Sequence, residues 1–275
     1  MGSRGAPGRL LTRQYVREMS RPLLWHLPVS HYSEKVRWAL DHKRVAHRRR
    51  ALIGGVHIPI AMVITRGRRY TLPILELDGR TIGDSTAIIA ALEDVCPDPP
   101  LYPADPGERR RALDLEDWFD ERLGPHIRQF VFHALRGEQE LFDDLAASQI
   151  PVPLRRYRRL AGAYGRGFTA LRYQTASDHR ADDALRGVTA AFDHLESELG
   201  DRQYLVGDRF TVADLTAAAL LYPLVLPPEG PLQMQSPAAV SRVQAALADR
   251  RGYRWAQEMF AQHRRAEPQA RLSPR

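Results

Sequence analysis

The stretch Leu23-Leu-Trp-His-Leu-Pro-Val-Ser30-His-Tyr-Ser-Glu-Lys-Val-Arg-Trp-Ala-Leu40 decides how this chain folds. Residues 23–27 are a short apolar run with strand character, and Pro28-Val29-Ser30 interrupts it before a helical pattern begins. From Tyr32 to Lys43, Tyr32, Val36, Ala39 and Leu40 recur at helical spacing, with Glu34, Lys35, Arg37 and Asp41 mostly on the other side. The reading is strand, sharp turn, helix. Downstream, a weak strand is expected near Val45 to Ile53 and a short helix or irregular segment near Ile58 to Thr65.

The next clear signal is Thr71-Leu-Pro-Ile-Leu-Glu-Leu-Asp-Gly-Arg-Thr-Ile-Gly83. Two apolar segments flank Asp78-Gly79, a pair that accepts the positive φ angles of a two-residue hairpin turn. Pro73 has no N–H to donate, so it fits only the start of a strand or an edge. Asp84-Ser85-Thr86 then supplies helix N-cap chemistry, and Ala87, Ile88, Ala91, Leu92 and Val95 form an apolar face ending before Pro97. The order is βαβ followed by ββα.

Residues 97–106 contain five prolines and read as a stiff linker outside either core. Beyond it no strand is expected. Helical periodicity returns at 107–135, 154–174, 179–199, 212–226, 238–248 and 252–264, with Gly124-Pro125 expected to kink or break the first helix and Pro227-Pro228 to stop the fourth. Thr211-Val-Ala-Asp214 reads as a capping box, with Phe210 and Leu215 as a hydrophobic staple. The expected organisation is a loose leader (1–22), an α/β domain (23–97), a linker (98–106), an all-helical domain (107–265) and a tail (266–275). A length of 275 residues suits two domains.

Composition narrows the chemistry. Cys96 is the single cysteine, so no internal disulfide, C-x-x-C pair or cysteine zinc site forms within the chain, and any sulfur chemistry uses an outside thiol. The ten histidines make no H-E-x-x-H pair, and no Gly-rich phosphate loop is present, so neither metal nor nucleotide chemistry is expected. The net charge of +7 comes from 38 arginines against two lysines, a bias that reflects a GC-rich genome. The arginine clusters at 48–50, 66–69, 109–111 and 155–159 come without a groove-entering motif or stacking aromatics. They read as solvated helix faces, and no nucleic-acid partner is expected. No apolar run reaches the roughly 20 residues of a membrane span and residues 1–22 lack a signal-peptide core, so the chain is expected to be cytoplasmic.

The turn Ser30 to Leu40, the Leu72-Pro73 pair, the Gly83-Asp84-Ser85-Thr86 helix start and the Thr211–Asp214 box stand in an order that resembles the glutathione S-transferase family over residues 23–226. The resemblance implies an α/β thioredoxin-like N-terminal domain plus an all-α C-terminal domain, glutathione as co-substrate, a small-molecule electrophile, a role in detoxification and a homodimer. It places Ser30 where thioredoxin relatives carry the attacking cysteine, and so implies a serine-type catalytic residue. A thiol with pKa near 8.5 is mostly protonated at neutral pH, so the protein must stabilise a sulfur anion. A helix N-terminus and a hydroxyl do this. Ser30 is equally well suited to capping the helix. Tyr32 and Ser33 are rival hydroxyls, and Trp25 and His26 occupy the region where tyrosine-type members carry their tyrosine.

The same resemblance implies a cis bond before Pro73, which presents the backbone of Leu72 to the cysteinyl part of glutathione. It also implies that Ser85 and Asp84 take the γ-glutamyl carboxylate and ammonium. In place of the family's Gln or Lys before the proline pair stand Tyr70-Thr71, preceded by Arg66, Arg68 and Arg69. The glycyl end is thus held differently, and a related low-molecular-weight thiol such as mycothiol is an alternative. Trp118, Phe119, Phe130, Phe132, His133 and Tyr222 are candidates for either core or electrophile pocket. A non-catalytic thiol- or ligand-binding member is the alternative function.

Overall fold

The computed structural model describes residues 21–264. The C-terminal tail and nearly all of the leader lie outside the described residues. A four-stranded sheet, ordered β2-β1-β3-β4, is built from β1 (Leu23–His26), β2 (Arg48–Ala51), β3 (Ile74–Leu77) and β4 (Arg80–Gly83). Only β1 and β2 run parallel; β1–β3 and β3–β4 are antiparallel. Asp78 and Gly79 take φ of 51° and 72°, the left-handed pair that the hairpin needs. Three helices cover this sheet: α1 (His31–His42), α2 (His57–Ile64) and α3 (Ser85–Val95). Leu24, Leu75 and Leu77 pack with Val36, Leu40, Ile88 and Leu92 on one face, and Ile74 and Leu72 pack with Ala61 on the other. This is the thioredoxin-like arrangement.

The rest is helical: α4 (Pro106–Trp118), a π-helical turn (Phe119–Leu123), α5 (Gly124–Arg136), α6 (Gln139–Ser148), a 3-10 turn (Val152–Tyr157), α7 (Arg158–Tyr173), α8 (Asp178–Leu199), α9 (Val212–Val225), α10 (Ala238–Leu247) and α11 (Arg251–His263). Every residue of α9 is buried, as an all-round apolar helix requires. Asp214 closes the expected capping box, with Oδ2 accepting from the Thr211 N–H and Oδ1 from the Leu205 N–H, both at 2.8 Å. The helix ends at Val225, before the proline pair.

Three expectations change and a fourth is made specific. Glu34, Lys35 and Arg37 are not on a solvated face of α1: they are 0%, 0% and 3% exposed, because the helical domain covers that face. Lys35 Nζ lies 2.8 Å from Glu116 on α4 and 2.6 Å from Asp120 in the π turn, while Glu34 binds Arg37 at 2.7 Å and Arg264 at 2.6 Å. The proline-rich stretch is no free spacer. Leu101 and Tyr102 join the main core, and the Leu101 carbonyl accepts from the Val212 N–H at 2.9 Å. The interruption expected at Gly124-Pro125 takes the form of a π turn just before it, so that α5 begins at Gly124 and Pro125 falls in its first turn, where no N–H is required. Helix α6 has no counterpart among the expected helices. Its buried Asp143, paired with Arg166 at 2.6 Å, puts a charge on the face that periodicity expects to be apolar.

Candidate functional site

A cavity of about 870 Å³ opens between the two domains. Ser30, Leu72, Pro73, Asp84 and Ser85 all line it, so the structure brings the five expected site residues together.

Ser30 is the N-cap of α1, with extended backbone (φ −81°, ψ 126°) and Oγ accepting from the Ser33 N–H at 3.3 Å. The capping role and exposure to the cavity therefore coexist. The rival hydroxyls are committed elsewhere. Ser33 is fully buried and accepts from the Leu27 N–H at 3.2 Å. Tyr32 lines the cavity but donates to the Asp120 carbonyl at 2.7 Å, and burial raises its pKa above the ordinary tyrosine value.

The Leu72–Pro73 bond is cis. The Pro73 carbonyl accepts from the Asp84 N–H at 3.4 Å, which ties the proline loop to the start of α3. Asp84 caps α3, Oδ1 accepting from the Thr86 and Ala87 N–H groups at 3.0 and 3.4 Å. Its φ of 92° is one that an L-residue adopts only under restraint, and such residues cluster at binding sites. Ser85 follows at the first helical position, buried at the positive end of the helix dipole. Arg69 lies 3.9 Å from Asp84 and adds positive charge at this end.

Sequence reasoning missed His31. It is 4% exposed, lines the cavity beside Ser30, and its Nε2 has no hydrogen-bond partner. Burial first, and the Arg128 charge second, lower its pKa to about 3, so it is a neutral imidazole at physiological pH. A helix start such as Ser-His gives no local sign of which way the imidazole turns.

The second-domain wall departs most from expectation. Of the six residues considered there, only Phe132 lines the cavity. Phe119 and Tyr222 are core residues, Tyr222 donating to the Val29 carbonyl at 2.5 Å. Trp118 packs against His194 with ring centroids 3.9 Å apart, Phe130 is buried in the core, and His133 binds the Thr175 carbonyl through Nδ1 at 2.9 Å. Instead Phe142, Tyr157, Tyr164, Phe168 and Tyr173, from the α6–α7 hairpin, make the aromatic wall. The hairpin meets the first domain at Gly54-Gly55. Gly55 has φ +86°, which favours glycine, and a Cβ there would stand 2.0 Å from the Tyr164 hydroxyl, so a larger residue would also push that ring aside. Among the described residues no cluster of histidine, cysteine and carboxylates could hold a metal, and no helix is long and apolar enough to cross a membrane.

A thioredoxin-like domain whose first helix, cis-proline loop and third helix open on one cleft, closed by a helical domain, defines a class of two-domain protein. The family model described as glutathione S-transferase, N-terminal domain, matches residues 24–100, and that described as glutathione S-transferase, C-terminal domain, matches residues 178–253. The chain belongs to the glutathione S-transferase family. It is 25% identical over 209 residues to FtsZ-localized protein A of Caulobacter vibrioides, spanning 72% of this chain and 75% of that protein. It is also 25% identical over 162 residues to Protein LigF of Sphingobium sp., spanning 55% and 58%. The crystal structure of beta-etherase LigF from strain SYK-6 superimposes with a TM-score of 0.55 at 21% identity, covering 87% of this chain and 99% of that one. Glutathione transferase GSTFuA3 from Phanerochaete chrysosporium superimposes with a TM-score of 0.62 at 19% identity, covering 91% and 100%.

Proposed function

We propose that the cleft binds glutathione, or a related low-molecular-weight thiol such as mycothiol, with its sulfur beside Ser30. The enzyme then adds that thiol to an apolar electrophile held against the α6–α7 wall. The observation that carries this reading is the convergence of Ser30, Leu72-Pro73 and Asp84-Ser85 on one cavity that continues into an aromatic chamber. The Ser30 hydroxyl and the N–H groups of α1 favour the thiolate over the thiol, and the backbone of Leu72 aligns the cysteinyl unit. Ser85 and the start of α3 take the γ-glutamyl carboxylate, with Asp84 toward the ammonium. Thiolate stabilisation and proximity supply most of the rate gain.

Calorimetric titration with each thiol, followed by turnover of 1-chloro-2,4-dinitrobenzene, tests the reading; binding of neither thiol sinks it. Ser85→Ala is expected to raise the thiol Kd by about tenfold or more, the worth of one hydrogen bond to a charged group, while kcat at saturating thiol stays close to wild type. An unchanged Kd would remove Ser85 from the carboxylate site.

The second reading, a binding protein that keeps the fold without the reaction, draws on the likeness to FtsZ-localized protein A. Retention on immobilised glutathione with no conjugation of model electrophiles would favour it. For either reading we propose a cytoplasmic homodimer, which sedimentation would show as twice the 31.2 kDa chain mass and a monomer peak would refute.

A further inference from the structure

The aromatic chamber contains two positive charges that the proposed reaction does not use. Arg128, half-buried on α5, lies with its guanidinium carbon 4.5 Å from the centroid of the Tyr173 ring. Arg172, exposed at the end of α7, lies 5.4 Å from the same ring and 5.8 Å from that of Tyr70. Sharing one ring keeps the two like charges within about 10 Å, one Debye length at 0.1 M salt. Both side chains line the cavity.

No carboxylate among the described residues pairs with either arginine. The acids that share the cavity are Asp84, Asp120 and Glu121. Asp120 is taken by Lys35 at 2.6 Å and Thr86 at 2.9 Å, Asp84 caps α3, and Glu121 is exposed on the π turn. Both charges also act on the first domain: Arg128 lowers the proton affinity of His31 and of the Tyr32 hydroxyl, and Arg172 does the same to His57. Two guanidinium groups on one tyrosine ring, with no carboxylate partner among the described residues, repel one another, and their planar forks fit a carboxylate or sulfonate placed between them.

We propose that Arg128 and Arg172 form an anion subsite, so that the chamber selects an aromatic or apolar ligand bearing a carboxylate or sulfonate rather than a neutral one. This rests on the cavity being the ligand site but not on any thiol chemistry. The anion belongs to the ligand held against the aromatic wall, and a pull on the thiol's own carboxylate is the competing outcome that the test distinguishes.

The test uses two fluorescent probes with the same ring skeleton, anionic 8-anilinonaphthalene-1-sulfonate and neutral N-phenyl-1-naphthylamine, together with glutathione and its glycyl ethyl ester. Wild-type protein is expected to bind the sulfonate more tightly than the neutral probe. Arg128→Gln and Arg172→Gln should each weaken sulfonate binding by about tenfold, leave the neutral probe within twofold, and flatten the salt dependence of sulfonate binding. Arg128→Lys should restore part of the sulfonate loss with the neutral probe still within twofold, a pairing that assigns the effect to charge because a packing change would move both probes. If instead the arginine variants lose only the preference for glutathione over its ester, the arginines serve the thiol's carboxylate and selection by the chamber is refuted. If both probes bind and neither variant changes any ligand preference, the subsite is refuted while the chamber stands. If neither probe enters wild-type protein, the electrophile chamber fails as well.

Discussion

Lys35→Met is expected to lower the stability of the protein by about 3–5 kcal/mol, the cost of removing one partner from a buried ion cluster. Lys35 is fully buried, and its ammonium group lies within 2.8 Å of Glu116 and 2.6 Å of Asp120 while also donating to Thr86 at 3.2 Å. Methionine fills much the same volume but leaves Glu116, itself fully buried, with no counter-charge. Burial already raises the Glu116 pKa and Lys35 opposes that rise, so the variant's carboxyl would take up a proton at higher pH. The loss should therefore be smaller in mild acid than at neutral pH. In Lys35→Met/Glu116→Gln the two changes should combine to less than their sum. Urea denaturation of the three variants at two pH values checks this, and a Lys35→Met midpoint equal to wild type would show that the cluster does not hold the domains together.

Ser30→Ala is expected to reduce turnover by about tenfold to a hundredfold, the worth of a hydrogen bond to a charged group when it acts on the thiolate. The acid limb of the pH–rate profile should move up by about one unit or more, toward the ordinary thiol pKa of about 8.5. Loss of the cap alone costs about 1 kcal/mol of stability and moves no pKa. Ser30→Gly separates the two, because glycine at an N-cap costs only about a few tenths of a kcal/mol and carries no side-chain donor. It should restore stability and leave turnover low. Wild-type kinetics in both variants would assign Ser30 to folding only.

The first-domain half of the cleft was legible because each of its parts has a local cause. Ser30 and Asp84 are capping residues, Asp78-Gly79 is a turn that admits positive φ, and Pro73 has one place to stand in a sheet. Such signals need only a few neighbouring residues. The other wall has none. Phe132 and Phe130 are two residues apart on one helix, and nothing local says that the first faces a cavity and the second the core. Glu34, Lys35 and Arg37 on α1, and Asp143 on α6, obscured the pattern for a related reason. Glu34, Lys35 and Asp143 find partners in Arg264, Asp120 and Arg166, distant in sequence, so periodicity alone does not foresee their burial.

The α6–α7 hairpin falls in the interval between the two family matches, 24–100 and 178–253. It supplies five of the aromatic side chains lining the cavity, while the main core runs through the sheet, α9 and α11 and the Lys35 cluster lies at α1 and α4. The side built on the thioredoxin-like domain lies within the residues that the N-terminal family model matches, whereas the facing wall is carried by a helical hairpin none of whose residues belongs to the main core. Substitutions in this hairpin are therefore expected to change what the cavity accepts while leaving the main core in place, so long as position 55 keeps its glycine.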